Sequence, residues 1–210
     1  KKEESISAGE DTYGNVKNKQ NTIGLGHRHI WNQNAYSSTS ISISKQNANA
    51  IFYENQSDTV SLSTNDIFRT LNARQINHIQ FNKTLSSVFG FEIQNRNLEY
   101  DFLLNNVNSK NDVLVTNLSS FITIKSILVK KALISIGSRI DWNDFEKDIL
   151  IAPRINVDFS LSKGWGNLII NSGKYFQNPP EKYLSVVEKN DLRSINTIQH
   201  SLTFEKLITS

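Results

Sequence analysis

The sequence has no cysteine and no methionine, only three prolines, and no long hydrophobic run. Without cysteine the chain forms no disulfide and no thiolate metal site. Without about 18 consecutive apolar residues it offers no candidate for a transmembrane helix. The 23 Lys and Arg nearly balance the 20 Asp and Glu, and the basic residues are scattered. We therefore expect no nucleic-acid partner.

Motifs of common catalytic and cofactor sites are missing as well. Gly24-Leu25-Gly26 lacks the third glycine of a dinucleotide fingerprint, because position 29 is His. There is no G-x-S-x-G nucleophile elbow and no H-E-x-x-H motif. His27 and His29 could share a strand face, but their place beside a turn favours an interfacial location over a metal site. We expect no enzyme activity, no catalytic residue, no metal and no cofactor.

What the sequence does contain is strict alternation of apolar and polar residues. In Ala132–Trp142, Ile134, Ile136 and Ile140 share one parity, whereas Arg139 and Asp141 share the other. The run from residue 149 to residue 161 repeats this pattern. Successive side chains of a strand point to opposite faces, so each segment has one apolar and one polar face. This pattern, over the roughly 9–11 residues that cross a bilayer, is typical of a transmembrane β-barrel wall.

The same reading along the whole chain predicts about nine to ten strands. The clearest others cover residues 21–31, 35–44, 84–97, 114–128, 165–176 and 196–207, with a less regular strand at 66–81. Residues 1–20 are expected to be mostly polar loop. Short turns are predicted at 32–34, 82–83, 129–131 and 162–164, and longer connections at 45–64, 98–112, 143–148 and 177–195. Short turns at one end and long loops at the other characterise outer-membrane barrels.

Charged residues on the polar parity of these strands are the candidate functional residues. A lipid-facing Arg or Lys near the bilayer midplane would cost about 2–4 kcal/mol, so such charges are expected to avoid lipid. In a barrel they would face the lumen and bond each other, water or a plug. The lumen-facing candidates are Glu92, Arg139, Asp141, Arg154 and Asp158.

Several short segments resemble the later barrel strands of TonB-dependent outer-membrane receptors, particularly those of the Bacteroidota type. They include Pro153-Arg154 opening a strand, Gly173-Lys174-Tyr175-Phe176 closing the next, Pro179-Pro180 after it, and Asn190-Asp191-Leu192 before the last strand. Gly90-Phe91-Glu92 and the strand around Gly137-Ser138-Arg139 also resemble that family. Together these segments cover roughly residues 84–210.

The resemblance implies an all-β fold, an antiparallel up-and-down transmembrane β-barrel of which this chain is one partial domain over residues 1–210. Such receptors have about 22 strands around a plugged lumen, so we expect an internal fragment that forms an open curved sheet. The implied location is the outer membrane of a Gram-negative cell. The implied function is uptake of a large scarce nutrient, such as a siderophore, haem, cobalamin or a glycan.

The resemblance also implies the partners. These are outer-membrane lipid, an extracellular nutrient ligand, a plug domain that is missing here, and the TonB energy-coupling complex, which is contacted through a region that is also missing. The connections 98–112 and 177–195 would lie outside the cell and help to capture the ligand.

Two other classes of protein remain open at this stage. A self-contained barrel of about ten strands could act as an adhesin, a pore or a membrane hydrolase, and would need its first and last strands to pair. A soluble secreted β-sandwich that binds carbohydrate would need two facing sheets with apolar inner faces.

Overall fold

The computed structural model of the chain describes residues 2–3, 11–104, 107–129, 132–161, 165–180 and 192–206. Within these ranges nine strands form one sheet in chain order, each antiparallel to the next. The strands are β1 (Thr12–Asn32), β2 (Ala35–Glu54), β3 (Val60–Gln80), β4 (Leu85–Leu104), β5 (Val107–Val129), β6 (Ala132–Asn143), β7 (Ile149–Ser160), β8 (Asn167–Gln177) and β9 (Ile195–Glu205). The predicted all-β, up-and-down architecture is confirmed.

The two faces of this sheet differ sharply in chemistry. Residues directly opposite each other on paired strands lie on the same face, so the register defines rows of side chains across the sheet. One row of the apolar face consists of Leu25, Ile41, Ala73, Ile93, Leu118, Trp142 and Ile149. One row of the polar face consists of Gly26, Ser40, Arg74, Glu92, Ser119, Asp141 and Leu150.

The predicted division of the β6 side chains between two faces is confirmed by this register. Ile136 and Ile140 lie on the apolar face and are 58% and 43% exposed. Arg139 and Asp141 lie on the opposite, polar face. The alternation in the sequence therefore corresponds to an actual division of the sheet into two surfaces.

The first five strands are much longer than the sequence predicted. They span 20 to 23 residues each, or roughly 70 Å of extended chain. The predicted connections 45–64 and 98–112 were wrong, because β2 runs to Glu54, β3 starts at Val60, β4 runs to Leu104 and β5 starts at Val107. The prediction of loop before residue 21 was also wrong, since β1 begins at Thr12.

These extra residues belong to the part of the sheet that we call the extension, which comprises residues 12–20, 46–54, 60–68, 98–104 and 107–113 of β1–β5. Both of its faces carry many polar side chains: Lys19 pairs with Asn47 on one face, and Gln20 pairs with Gln46 on the other. A strand with polar residues on both faces shows no alternation of apolar and polar residues. The predicted strands therefore ended where the apolar face ends. The fold thus continues well beyond the apolar band.

Elsewhere the predicted boundaries agree with the structure to within two residues, as in β6, β7, β8 and β9. The acidic connection after β6 is confirmed as a turn and coil over residues 144–148. Residues 178–180 and 192–194 of the predicted connection 177–195 are coil. The predicted turn 162–164 lies outside the described residues, as do residues 130 and 131 of the turn 129–131.

The sheet is open. In the described part of the chain β1 pairs only with β2 and β9 only with β8, so no ladder joins the predicted first strand, residues 21–31, to the last. There is one sheet over these residues, not the two facing sheets of a sandwich. Among the same residues no helix has the length and apolar character needed to cross a bilayer.

Candidate functional site

Three of the five predicted site residues meet on the polar face. Arg139 Nε donates to Asp141 Oδ1 at 2.8 Å, and its Nη2 lies 3.7 Å from Glu92 Oε2. Ser119 completes the group, because its hydroxyl donates to Asp141 Oδ1 at 2.6 Å and accepts from Arg139 Nη2 at 2.7 Å. We call these four residues the charge network. It joins β4, β5 and β6 and leaves Arg139 with carboxylates on two sides.

Ser119 could not have been chosen from the sequence alone. It lies in the same row as Glu92 and Asp141, one strand away from each. Nothing about a serine within a strand indicates a functional contact. Its role follows only from the register, which sets it between a carboxylate and a guanidinium.

Arg154 lies apart from the charge network, in the next part of the polar face. Its guanidinium carbon is 4.6 Å from the centre of the Tyr175 ring, which is a cation–π arrangement. The residues beside it in the same row are Gly137 and Gly173. A Cβ at Gly173 would lie only 3.0 Å from Arg154 Cγ, so the missing side chain makes room for the arginine.

Asp158 is not brought to either group. It lies on the polar face four residues after Arg154, in the row of Leu133 and Ile169, and is half-buried. It forms no ion pair with any residue that the structure describes. The five predicted residues thus share a face of the sheet but do not form a single cluster.

A hollow of about 370 Å³ opens on the polar face between these groups. Its lining includes Arg139 and Arg154, and it adds Arg74 on β3, which sequence reasoning missed. Phe121 and Tyr175 contribute aromatic rings, and Asn156 and Asn171 contribute amides. Its size falls within the range of small-molecule sites.

A small apolar core covers one side of the extension, the side that is continuous with the polar face of the sheet. Phe145, in the turn after β6, is 2% exposed and packs with Leu98, Val113 and Val115. Phe68, Tyr100 and Leu192 border the cluster. Leu98 and Val113 are direct partners on the face that carries Glu92. The turn after β6 therefore folds back over the sheet and does not extend into solvent as a fully solvated loop would.

Polar contacts join that turn to the connection between β8 and β9. Glu146 accepts hydrogen bonds from the backbone nitrogen and the hydroxyl of Ser194, at 3.2 and 2.5 Å. Arg193 bonds Asp148 at 2.7 Å, and the Asn178 amide donates to Asn117 on β5 at 3.2 Å. These hydrogen bonds and this ion pair thus join the two connections at this end of the sheet to each other and to β5.

Acidic groups in the extension have shifted pKa values. Burial raises the pKa of Asp66 above its usual value, and this effect outweighs the hydrogen bond from the Asp101 backbone, which lowers the pKa. The pKa of Asp58 is lowered, first by the hydrogen bond from Lys2 and then by that from Tyr13. Both groups lie away from the charge network; the pKa shift of Asp66 reflects its burial, and that of Asp58 reflects its two hydrogen bonds.

His27 and His29 pack beside an aromatic side chain on the sheet. The His27 and His29 rings lie on the apolar face near its turn end, and the edge of one meets Trp31, with 4.2 Å between the His29 and Trp31 ring centres. Among the described residues no group of three or more His, Asp or Glu is arranged to hold a metal ion.

The architecture matches two solved transporters. The copper transporter OprC superimposes with a TM-score of 0.67 over 82% of this chain at 12% sequence identity. The RagAB peptide transporter superimposes with a TM-score of 0.59 over 94% of this chain at 9% identity. No protein-family model matches the chain, and no curated protein matches it either.

The chain therefore has the fold of a partial transporter barrel. The resemblance to TonB-dependent receptors noted in the sequence is confirmed at the level of the fold, and both neighbours are transporters, not enzymes. The chain spans 32% of the length of the first neighbour and 27% of the second. At these sequence identities the likeness concerns the fold and not the cargo.

Proposed function

We propose that this chain is a wall segment of an outer-membrane transporter that takes up a large scarce nutrient with energy from a TonB complex. The observation that carries the proposal is the match of the nine-stranded sheet to two transporter barrels. The nutrient would be of the class of ferric siderophores, haem, cobalamin or glycans. The plug domain and the contact with the energy-coupling complex would belong to other parts of the same protein.

The apolar face supports a membrane location. Its large side chains, including Ile23 at 81% and Leu25 at 75%, are exposed across successive strands. Soluble monomers rarely expose continuous apolar patches beyond a few hundred Å². Lipid would cover this face, whereas the polar face would line an aqueous lumen.

The polar face supports a lumen role for the predicted site residues. In this proposal the contacts among Glu92, Arg139 and Asp141 stiffen the wall, because they join side chains of different strands. The same contacts neutralise charges that a plug or water would otherwise have to meet. Arg154 and Asp158 stay open toward the lumen. The extension of β1–β5 would rise above the outer leaflet and, with the connection 177–195, would face the extracellular ligand.

Deleting the gene that encodes the complete protein tests this proposal. We expect slower growth when iron, haem, cobalamin or a glycan is limiting, restored by a plasmid copy. The same defect should occur when the energy-coupling protein is removed instead. Cell fractionation should place the protein in the outer membrane. Unchanged growth on every limiting nutrient, or a defect that persists without dependence on energy coupling, would contradict active uptake.

A further inference from the structure

A group of lysines lies at the border between the apolar face and the extension. On β1 and β2 the continuous apolar face ends at the directly paired Ile23 and Ile43. Lys45 lies two residues beyond Ile43, and Lys19 and Lys17 lie four and six residues beyond Ile23. Because side chains of a strand alternate with a period of two, all three lysines lie on the same face as these isoleucines. They are exposed, and we call them the lysine patch.

The register sets the three lysines close together. Lys19 pairs with Asn47 and Lys45 pairs with Asn21, so Lys19 and Lys45 are diagonal neighbours on adjacent strands. Such neighbours lie about 7–8 Å apart, within reach of long side chains. Lys17 follows Lys19 at roughly 7 Å along the same strand. Each ammonium group has three donors on a flexible stem, so two of them can turn toward one anion between the strands.

Few acidic groups compete for these lysines. None of the three forms an ion pair with a residue that the structure describes. In the row of Lys19 the first acidic residue is Glu99 on β4, and its carboxylate is paired with Arg69. The row of Lys45 has no acidic residue from β1 to β5. Positive charge is therefore concentrated on β1 and β2, although the whole chain is close to neutral with a net charge of +3.

The other end of the same face lacks such charges. From the row of Leu25 to the row of Ala35, β1 to β5 carry no Lys or Arg on this face. In the proposed orientation the extension rises above the outer leaflet, so the border with the lysine patch lies at the level of the lipid headgroups. Headgroups add about 5–8 Å beyond the hydrocarbon on each side, and Lys45 lies roughly 7 Å along the strand from Ile43.

We propose that the lysine patch binds a phosphate group of an anionic lipid in the outer leaflet. The phosphate would lie between Lys19 and Lys45, and the acyl chains would lie against Ile23 and Ile43. One lipid molecule would then cover the apolar residues and neutralise the charges beside them, which no soluble anion does. Lys17 adds attraction for the same surface, since basic residues near a membrane favour anionic lipid. The inference rests on the proposed function, because it takes lipid to cover the apolar face.

The test compares the complete protein with Lys19→Gln/Lys45→Gln and with a matched control, Lys83→Gln/Lys125→Gln. The control removes the same charge from two exposed lysines, one in the turn after β3 and one on the polar face of β5. Each protein is purified from the outer membrane in neutral detergent. Native mass spectrometry then measures its affinity for lipid A, a glycolipid with two phosphates, and for the same lipid without phosphates.

We expect the unsubstituted protein and the control to bind lipid A at least about tenfold more tightly than its dephosphorylated form. Lys19→Gln/Lys45→Gln should lose most of this preference, whereas Lys19→Arg/Lys45→Arg, which keeps the charge, should retain it. Equal binding of the two lipids by the unsubstituted protein overturns the proposal, and so does a glutamine patch variant that prefers lipid A as strongly as the control does. Either result leaves the proposed function intact, because that function is tested by fractionation and uptake.

Discussion

At the scale of single residues, position on one or the other face decides what a side chain can do. Ile136 and Ser135 are neighbours in β6, yet Ile136 belongs to the apolar face and Ser135 lines the hollow on the polar face. Similarly, Ser119 is chemically ordinary but bonds both Arg139 and Asp141. Residue type sets the interactions that a side chain can form, and the face on which it lies determines which of them it forms.

Introducing an arginine at each of these two neighbouring positions tests the division of faces. Ile136→Arg should impair assembly into the outer membrane, because a lipid-facing Arg near the midplane costs about 2–4 kcal/mol. Ser135→Arg should assemble more nearly as the unsubstituted protein does, since the new charge meets water. Heat-modifiable mobility of the membrane fraction on a gel measures assembly. Equal impairment of the two variants would argue against lipid at the apolar face.

The charge network predicts a stability difference between two ion pairs. Asp141→Ala should lower the free energy of unfolding by about 1–3 kcal/mol, because Arg139 is half-buried and would keep only the more distant of its two carboxylates, Glu92. Asp148→Ala is the control, since its pair with Arg193 has side chains 64% and 61% exposed. That change should cost less than about 1 kcal/mol. Urea unfolding of the complete protein measures both, and similar losses would mean that the network adds nothing.

At the scale of elements, the strands divide into a band with alternating apolar and polar residues and an extension. The band of alternating residues could be read from the sequence, and β6 and β7 agree with that reading. The extension could not, because its strands carry polar residues such as Lys19 and Asn47 where the band carries Ile and Leu. The hollow itself was not predicted; of the residues that line it, Arg139 and Arg154 were singled out from the sequence as lumen-facing candidates, whereas Arg74 and Tyr175 were not. Pairing across strands that are distant in sequence decides which of these side chains meet.

Phe145 anchors the turn after β6, and removing its ring should release that turn. Truncating a buried Phe typically costs about 3–5 kcal/mol. Phe145→Ala should therefore speed proteolytic cleavage at Lys147 in the complete protein on intact cells. Phe145→Leu, which keeps most of the apolar contact with Val113 and Val115, should cleave nearly as slowly as the unsubstituted protein. If alanine and leucine behaved alike, the apolar core would not be what holds the turn.

Asp66 gives the extension a pH dependence. Its raised pKa means that the folded state holds the proton more firmly than the unfolded state does. Stability should therefore fall as pH rises from the usual Asp value of 3.8 through the raised value. Asp66→Asn should stabilise the protein at pH 7 and lose this advantage at about pH 3, where both states are protonated. Unfolding in urea at the two pH values measures this, and an equal effect at both would rule out the buried carboxylate as the cause.

At the scale of the whole molecule, the proposed membrane wall needs strand partners at both edges of the open sheet. In the described residues β1 and β9 each leave one edge without a strand partner. Unpaired backbone groups cost several kcal/mol each in lipid, and bare edges promote aggregation in water. Further strands at both edges would remove this cost, consistent with a chain that spans only about a third of the OprC transporter. In the proposed barrel the apolar face and the polar face are the outside and the inside of one wall.

A cysteine scan of β6 tests most directly whether lipid covers the apolar face and water covers the polar face. The 210 residues contain no cysteine, so positions 133–141 can each carry one spin label in the complete protein, with any cysteines elsewhere removed. Electron paramagnetic resonance in membranes would compare relaxation by lipid-soluble oxygen with relaxation by a water-soluble nickel chelate. A lipid-facing apolar surface predicts strict alternation, with oxygen favoured at positions 134, 136, 138 and 140, and the reverse preference at 133, 135, 137, 139 and 141. Equal access at both parities, or the opposite alternation, would contradict it.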